Sequence, residues 1–280
     1  MKFGCHVSIR DGYLGAAQYA TKIGAKAYQY FPKNPRSLSI KDFDRSDAKE
    51  CKNYCQDKQL VSISHSPYPT SLVPTTDKKK KQVVESLLND LHISDSCGSI
   101  GVVVHFGKHI DAQDPLASYQ IMIQTLNTVL GQWNGDCKIL LENNAGKPGT
   151  IGTTLEELVQ VRKLSNYPEK IGFCFDTCHA FASGLWNGNN WQGVVHNGEA
   201  LGYFDHLQAI HLNNSKYPTA SGKDRHANIF HHGHISKEQW QDLMEYFMVK
   251  KIPMIMETPN HQEITHQREL AELHKTWPEG

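Results

Sequence analysis

The strongest constraint on how this chain folds is an alternation. Eight short apolar, β-branched runs, at 2–8, 26–31, 60–64, 100–104, 138–141, 171–175, 207–210 and 252–256, are separated by stretches with helix-like spacing of apolar residues. The helical pattern is clearest over 13–23, 82–96, 116–130, 155–164 and 237–248, which are rich in Ala, Leu, Glu, Lys and Gln, all good helix formers. Thr154 stands before LEELVQ with Glu157 three residues on, as in a capping box, and Ser236 precedes KEQWQDL in an N-cap position. Strand-like runs alternating with helices predict a parallel sheet. Eight of them in 280 residues, without a linker, repeat or low-complexity tract, predict an α/β fold. The expected architecture is a (β/α)8 TIM barrel, a single domain over 1–280, rather than an open doubly wound sheet. HVSIRDGYLG after the first run does not match G-x-G-x-x-G, so the main reason to expect a dinucleotide fold is missing.

What the runs end on is equally constraining. The third delivers His65, the fourth His105, the fifth Glu142, the sixth Asp176, the seventh His211 and the eighth Glu257; the first carries His6 near its end. In a barrel the C-terminal strand ends converge on one rim, where active sites of this fold lie. A buried carboxylate is costly unless it is paired or bound to metal. Six successive strand ends of this type therefore predict a divalent-metal centre. A second cluster follows the seventh run, where Asp224 and His226 in GKDRH are two residues apart and, in extended backbone, face the same side. His179, on the expected loop after the sixth run, is placed to join them. His231, His232 and His234 are expected to be loop or surface histidines, and Cys178 inside DTCH a packing residue. An imidazole and carboxylate donor set suits zinc, and also manganese, iron or cobalt.

Composition narrows the class. Seven cysteines with no C-x-x-C pair predict reduced, mostly buried thiols rather than a zinc ribbon or disulfide framework. No apolar run reaches 18 residues and no signal-type segment follows Met1, so a cytoplasmic protein without a membrane partner is expected. Lys plus Arg and Asp plus Glu balance at 29 each, which argues against a nucleic-acid binder that works through a basic patch alone. The one charge run, Lys78 to Lys81, is expected on a solvated helix face.

The motifs GCHVSIRDG, FPKNPR, LLENNAG, FDTCHAFASG, HLNNSK, GKDRH and METP span nearly the whole chain. Together they resemble those of the endonuclease IV family of apurinic/apyrimidinic endonucleases. The resemblance implies a zinc-dependent hydrolase acting in base excision repair. Its substrate would be double-stranded DNA, cleaved 5′ to an abasic site to leave a 3′-hydroxyl, with cleaning of blocked 3′ ends besides. It implies three Zn2+ per chain (Mn2+ or another divalent ion being the alternative) and a monomer. By resemblance, His65 and His105 hold one ion, and Glu142 bridges it to a second held by Asp176, His211 and Glu257. His179, Asp224 and His226 would hold the third. Glu142 would orient the attacking water, Arg36 would enter the duplex near the lesion, and Tyr68 would probe the minor groove. The chain departs from the family pattern where GKDRH continues into NIFHHGHIS, and where SLSI follows KNPR without the usual tryptophan. The runner-up is a metal-dependent sugar isomerase or epimerase on a related barrel, which leaves Asp224 and His226 without a task. A third reading is a damage-binding or metal-storage protein without turnover.

Overall fold

The computed structural model describes residues 1–111, 113–248, 250–261 and 263–278. Each of the eight apolar runs forms a strand. In chain order these are β1 (Lys2–His6), β2 (Ala27–Tyr30), β3 (Val61–His65), β4 (Gly101–His105), β5 (Lys138–Glu142), β6 (Ile171–Asp176), β7 (Leu207–His211) and, after a short hairpin, β10 (Pro253–Met256). All pair in parallel and close into a barrel in the order β1-β10-β7-β6-β5-β4-β3-β2. The hairpin pairs β8 (Asn214–Ser215) with β9 (His226–Ala227) in antiparallel fashion. The expected (β/α)8 barrel is the observed fold.

Among the described residues the outer layer comprises α1 (Gly12–Lys22), α2 (Arg45–Lys58), α3 (Asp77–Ser96), α4 (Pro115–Leu130), α5 (Leu155–Leu164), α6 (Thr177–Ser183), α7 (Trp191–Leu201), α8 (Lys237–Met248) and α9 (His266–Thr276). The capping box on α5 is formed as expected, with Thr154 and Glu157 bonding reciprocally. Ser236 Oγ accepts from Gln239 N at the head of α8. Helix α3 starts earlier than its apolar spacing suggests, because Thr76 caps it by accepting from Lys79 N. Lys78 to Lys81 thus fall in its first turns, where Lys78, Lys79 and Lys81 are exposed, as a solvated face requires. All seven cysteines are free and buried.

Among the described residues the barrel has two apolar compartments. The larger lies between strands and helices. The smaller is a plug inside the barrel made of Ala27, Ile63, Val103, Leu140, Cys174, Ala209 and Ile255, one from each strand except β1. In β1 the lumen is crowded out: a Cβ on Gly4 would stand 1.8 Å from the Ala27 carbonyl oxygen. Because side chains alternate along a strand, the next residue on the same face is two positions on. Counting two from each plug residue gives Gln29, His65, His105, Glu142, Asp176, His211 and Glu257. Gly4 leads in the same way to His6. The dry plug is therefore the floor, and this polar ring stands directly above it.

Behind β3 lies a buried polar seam. Lys33, on the loop after β2, donates to Ser86 O at 2.7 Å and Ser86 Oγ at 2.9 Å, and pairs with Asp90 at 3.0 Å. Both partners are buried. Burial lifts the Asp90 carboxyl to about 7, and Lys33 offsets only part of that. The pair fastens the loop that carries Arg36 to α3. Without Lys33 the Asp90 carboxyl would take up a proton and stay buried without its partner, at a cost of about 1–3 kcal/mol. Lys33→Met should lower unfolding stability by about that much in urea titrations, and Asp90→Leu added to it should recover most of the loss. Equal stability of Lys33→Met and the parent would show that the pair contributes nothing.

Candidate metal centre

The polar ring is brought together by strand register and extended by two further segments. Glu142, wholly buried at the end of β5, is its hub. His211 Nδ1 lies 2.7 Å from Glu142 Oε1, and His65 Nε2 and His105 Nδ1 approach Oε2 at 3.5 and 3.4 Å. Oε2 is buried and takes no hydrogen bond from the described residues. An ionised oxygen in that state, faced by two imidazole nitrogens, is the donor arrangement a divalent cation fits.

Among the described residues, three groups have ligand atoms within 4.8 Å of one another: His65, His105 and Glu142; Glu142, Asp176, His211 and Glu257; and Asp176, His179 and His226. The first two are the sets expected from the sequence. The third differs. Asp224 does reach His179 Nε2 at 3.3 Å and His226 Nε2 at 3.6 Å. Asp176, however, also stands 3.7 Å from His226 Nε2, so its carboxylate adjoins both the second and third groups. All nine candidate ligands thus share one basin. His179 is not on a loop as expected. It lies in the first turn of α6, because Asp176 Oδ1 accepts from His179 N at 2.6 Å and caps that helix. One carboxylate ends the strand, starts the helix and faces the basin.

The outward ring nitrogens have partners that orient the inward ones. His65 Nδ1 lies 2.8 Å from Ser66 O, His179 Nδ1 2.9 Å from Asn143 O, and His226 Nδ1 3.3 Å from Glu257 O. In each case Nε2 is left facing a carboxylate, and His179 Nδ1 also lies 3.5 Å from Glu142 Oε1. Asn213 Nδ2 donates to Asp176 Oδ2 at 2.8 Å and to Glu257 Oε2 at 3.2 Å, and its Oδ1 accepts from Glu257 N. Asn143 brackets the Asp176 backbone through Oδ1 and Nδ2. The reading of the sequence missed Asn143, Asn213 and Gln29 as individual residues. For Gln29 the signal was available: it stands two positions after Ala27, as His65 does after Ile63.

Crowding sets the protonation pattern. Burial pushes the Glu142 carboxyl upward, but His105 and His211 outweigh it and hold it well below the usual range. Burial acts against charge on His179 too, yet Asp176, Asp224 and Glu142 raise it to about 10. Burial keeps His105 down at about 4. Against burial, His211 and His226 hold Glu257 at about 2.

Of the two outer residues, Tyr68 flanks this basin. Tyr68 and Arg36 are exposed on the loops after β3 and β2, and Tyr68 N donates to Pro35 O at 2.8 Å, joining the two loops. One cavity of about 420 Å³ is lined by His65, Tyr68, His105, Asp224 and Glu257 among others. A second of about 420 Å³ opens beside it over Tyr68, Lys108, Lys147 and Asp224. Lys147 Nζ lies 3.6 Å from Asp224 Oδ2. Arg36 lines neither cavity. His231 pairs with Glu272 at 3.4 Å, and none of His231, His232 and His234 joins a metal-type group among the described residues. The departing NIFHHGHIS segment is held from within, since Asn214 bonds Ile229 O and Ile235 O and Glu269 bonds Asn228 and Ile229 N. His226 and Asp224 accordingly keep their reach to His179. Cys178 is buried and its thiol is pushed up by burial, consistent with packing. No helix among the described residues is long and apolar enough to cross a membrane.

Residues 17–278 match the family described as the xylose isomerase-like TIM barrel. A protein of Symbiobacterium thermophilum named probable endonuclease 4 is 38% identical over 271 residues, covering 97% of this chain and 98% of that one. The crystal structure of endonuclease IV from Thermus thermophilus superposes with a TM-score of 0.85 at 25% identity, covering 99% of this chain and 98% of the other. A D-tagatose 3-epimerase-like protein superposes with a TM-score of 0.71 at 20% identity, over 99% and 96% of the two chains, and shares the fold alone.

A metal ligand must give up its proton on binding. With His179 raised from 6.5 to about 10, the metal-free protein at pH 8 holds it charged. Zinc added to metal-free protein at pH 8 in weakly buffered indicator should release protons, and His179→Gln should reduce the release by about one per chain. The same charged pair contributes stability in full below the ordinary histidine pKa, and that contribution is lost as pH rises through about 10. Zinc uptake without acidification at pH 8 would contradict this assignment.

Proposed function

The chain belongs to the xylose isomerase-like TIM-barrel family and, within it, to the endonuclease 4 proteins, and from that premise we propose that it is a metal-dependent endonuclease that hydrolyses the DNA phosphodiester 5′ to an abasic site. The proposal includes a 3′-hydroxyl product, cleaning of blocked 3′ ends and a role in base excision repair. The observation that carries it is the junction at Glu142 and Asp176, where three donor groups share carboxylates in one basin. The donor set of imidazole and carboxylate fits three divalent ions, zinc first among them.

In this reading His65, His105 and Glu142 hold the first ion, and Glu142, Asp176, His211 and Glu257 the second. His179, Asp224 and His226 hold the third, with Asp176 beside them. Bound there, the ions supply Lewis acidity and lower the pKa of water toward neutrality. Glu142, Asp176, Asp224 and Glu257 bring four negative charges, so three divalent ions leave the basin two positive before any hydroxide. That answers the neutral balance of 29 against 29: the field that attracts phosphate is local.

The side chains then divide the work. Glu142, the carboxylate common to the first two groups, orients the attacking water. Tyr68 and Arg36, exposed on joined loops beside the basin, meet the duplex around the lesion. An abasic nucleotide is cheaper to extrude than a paired one, and the cavity over His65, Tyr68 and His105 is open to receive it. The sugar isomerase or epimerase reading rests on the breadth of the family description and on fold likeness, and it leaves the third group idle.

The test is a nicking assay on a duplex carrying one abasic analogue, run with elemental analysis before and after chelation. Nicking 5′ to the lesion should disappear on chelation and return with Zn2+. Glu142→Gln should lower kcat by about 10²–10⁴ while abasic duplex is still bound. Metal-replete protein that leaves abasic duplex intact but converts a ketose would overturn the proposal in favour of the sugar enzyme. Binding without turnover would favour the damage-binding reading.

A further inference from the structure

Of the eight positions in the ring above the plug, six are candidate ligands and two, His6 and Gln29, have no assigned task. Gln29 is wholly buried in the ring. Its Oε1 lies 2.7 Å from His211 Nε2, and its Nε2 lies 2.7 Å from Glu257 Oε1 and 3.2 Å from His6 Nδ1. Resting on the metal reading above, we propose that Gln29 is the positioning residue of the second metal group, fixing which nitrogen His211 offers and where Glu257 stands.

The argument is one of donors and acceptors. A carboxamide has one accepting end and one donating end. The Glu257 carboxylate accepts only, so the amide must turn its NH2 toward Glu257; flipped, two oxygens would meet at 2.7 Å. That orientation leaves Oε1 against His211 Nε2, which must then carry the hydrogen. His211 Nδ1 is thereby left to face Glu142 Oε1 at 2.7 Å, Glu257 Oε2 at 3.3 Å and Asp176 Oδ2 at 3.8 Å. These are the three carboxylates of the second group.

His211 differs here from its neighbours. The outward nitrogens of His65, His179 and His226 meet backbone carbonyls, which no side-chain replacement removes. The orientation of His211 depends on a side chain contributed by another strand. Gln29 also ties the β7 ligand to the β10 ligand, while Asn213 ties Glu257 to Asp176 from the other side. Partners of this kind typically change metal affinity by 10–100-fold when removed.

The experiment titrates metal-free wild type and Gln29→Leu with Zn2+ against a competing chelator, and records histidine ¹⁵N spectra of the zinc-loaded wild type. The expected result is a wild-type spectrum in which His211 ligates through Nδ1 and keeps its hydrogen on Nε2. One ion should bind Gln29→Leu about 10–100-fold more weakly, the others unchanged. Gln29→Glu keeps the acceptor for His211 but sets a carboxylate against Glu257; it should retain the tautomer and still lose affinity. Wild-type affinity for every ion in Gln29→Leu would overturn the inference and leave the metal reading standing. Ligation of His211 through Nε2 in the wild type would do the same without relying on any variant that fails to fold. Wild-type protein that takes up no Zn2+ would overturn the metal reading, and this inference with it.

Discussion

The structure depends on one crowded encounter, that of the Glu142 carboxylate with four imidazoles. His65, His105, His179 and His211 all approach it within 3.5 Å at the mouth of the barrel. A carboxylate taken out of water costs several kcal/mol unless its surroundings return the loss. Here the return comes from neighbours on β3, β4, β6–α6 and β7, so the barrel must be closed and in register before the group is tolerable. The same crowding makes the basin unfavourable for a single protonation state and suitable for cations. Stability and proposed chemistry thus place opposite demands on the same atoms.

The frame meets those demands by dividing the barrel vertically. Below the ring, Ala27, Ile63, Val103, Leu140, Cys174, Ala209 and Ile255 form a dry floor that holds the strands in register. Within it, Asn143, Asn213 and Gln29 supply neutral amides that orient charged groups without adding charge. Above it, the loops carry exposed residues that can meet a large substrate. Those loops are fastened from behind, by Lys33 to Asp90 and by Tyr68 N to Pro35 O. A rigid floor with pinned loops suits a site whose ligands come from many separate segments.

Much of the site was legible because a polar residue closing an apolar run stands out. His65, His105, Glu142, Asp176, His211 and Glu257 each close a mainly apolar run, so their chemistry and their shared rim could be read together. Gln29 lay hidden inside AYQYF, followed by two more aromatic residues and lacking a charge to draw notice. Its role emerges from the period of the strand combined with the register against β1 and β3. His179 is expected on the loop after the sixth run; the cap at Asp176 makes that turn helical. Arg36 and Tyr68 are singled out by family resemblance alone, since an exposed arginine and an exposed tyrosine carry no physical mark of their own.

By itself the sequence determined the alternation of strand and helix, and therefore the barrel, and the chemical type of group at each strand end. Both are properties of residues near one another along the chain, where period and burial pattern act directly. Tertiary structure alone decided which atom meets which: that Glu142 serves two donor groups, that Asp176 adjoins the third as well as the second, and that one amide stands between His211 and Glu257. Those meetings join positions as many as 228 residues apart, and their distances are set by barrel closure and strand register, which no local segment contains.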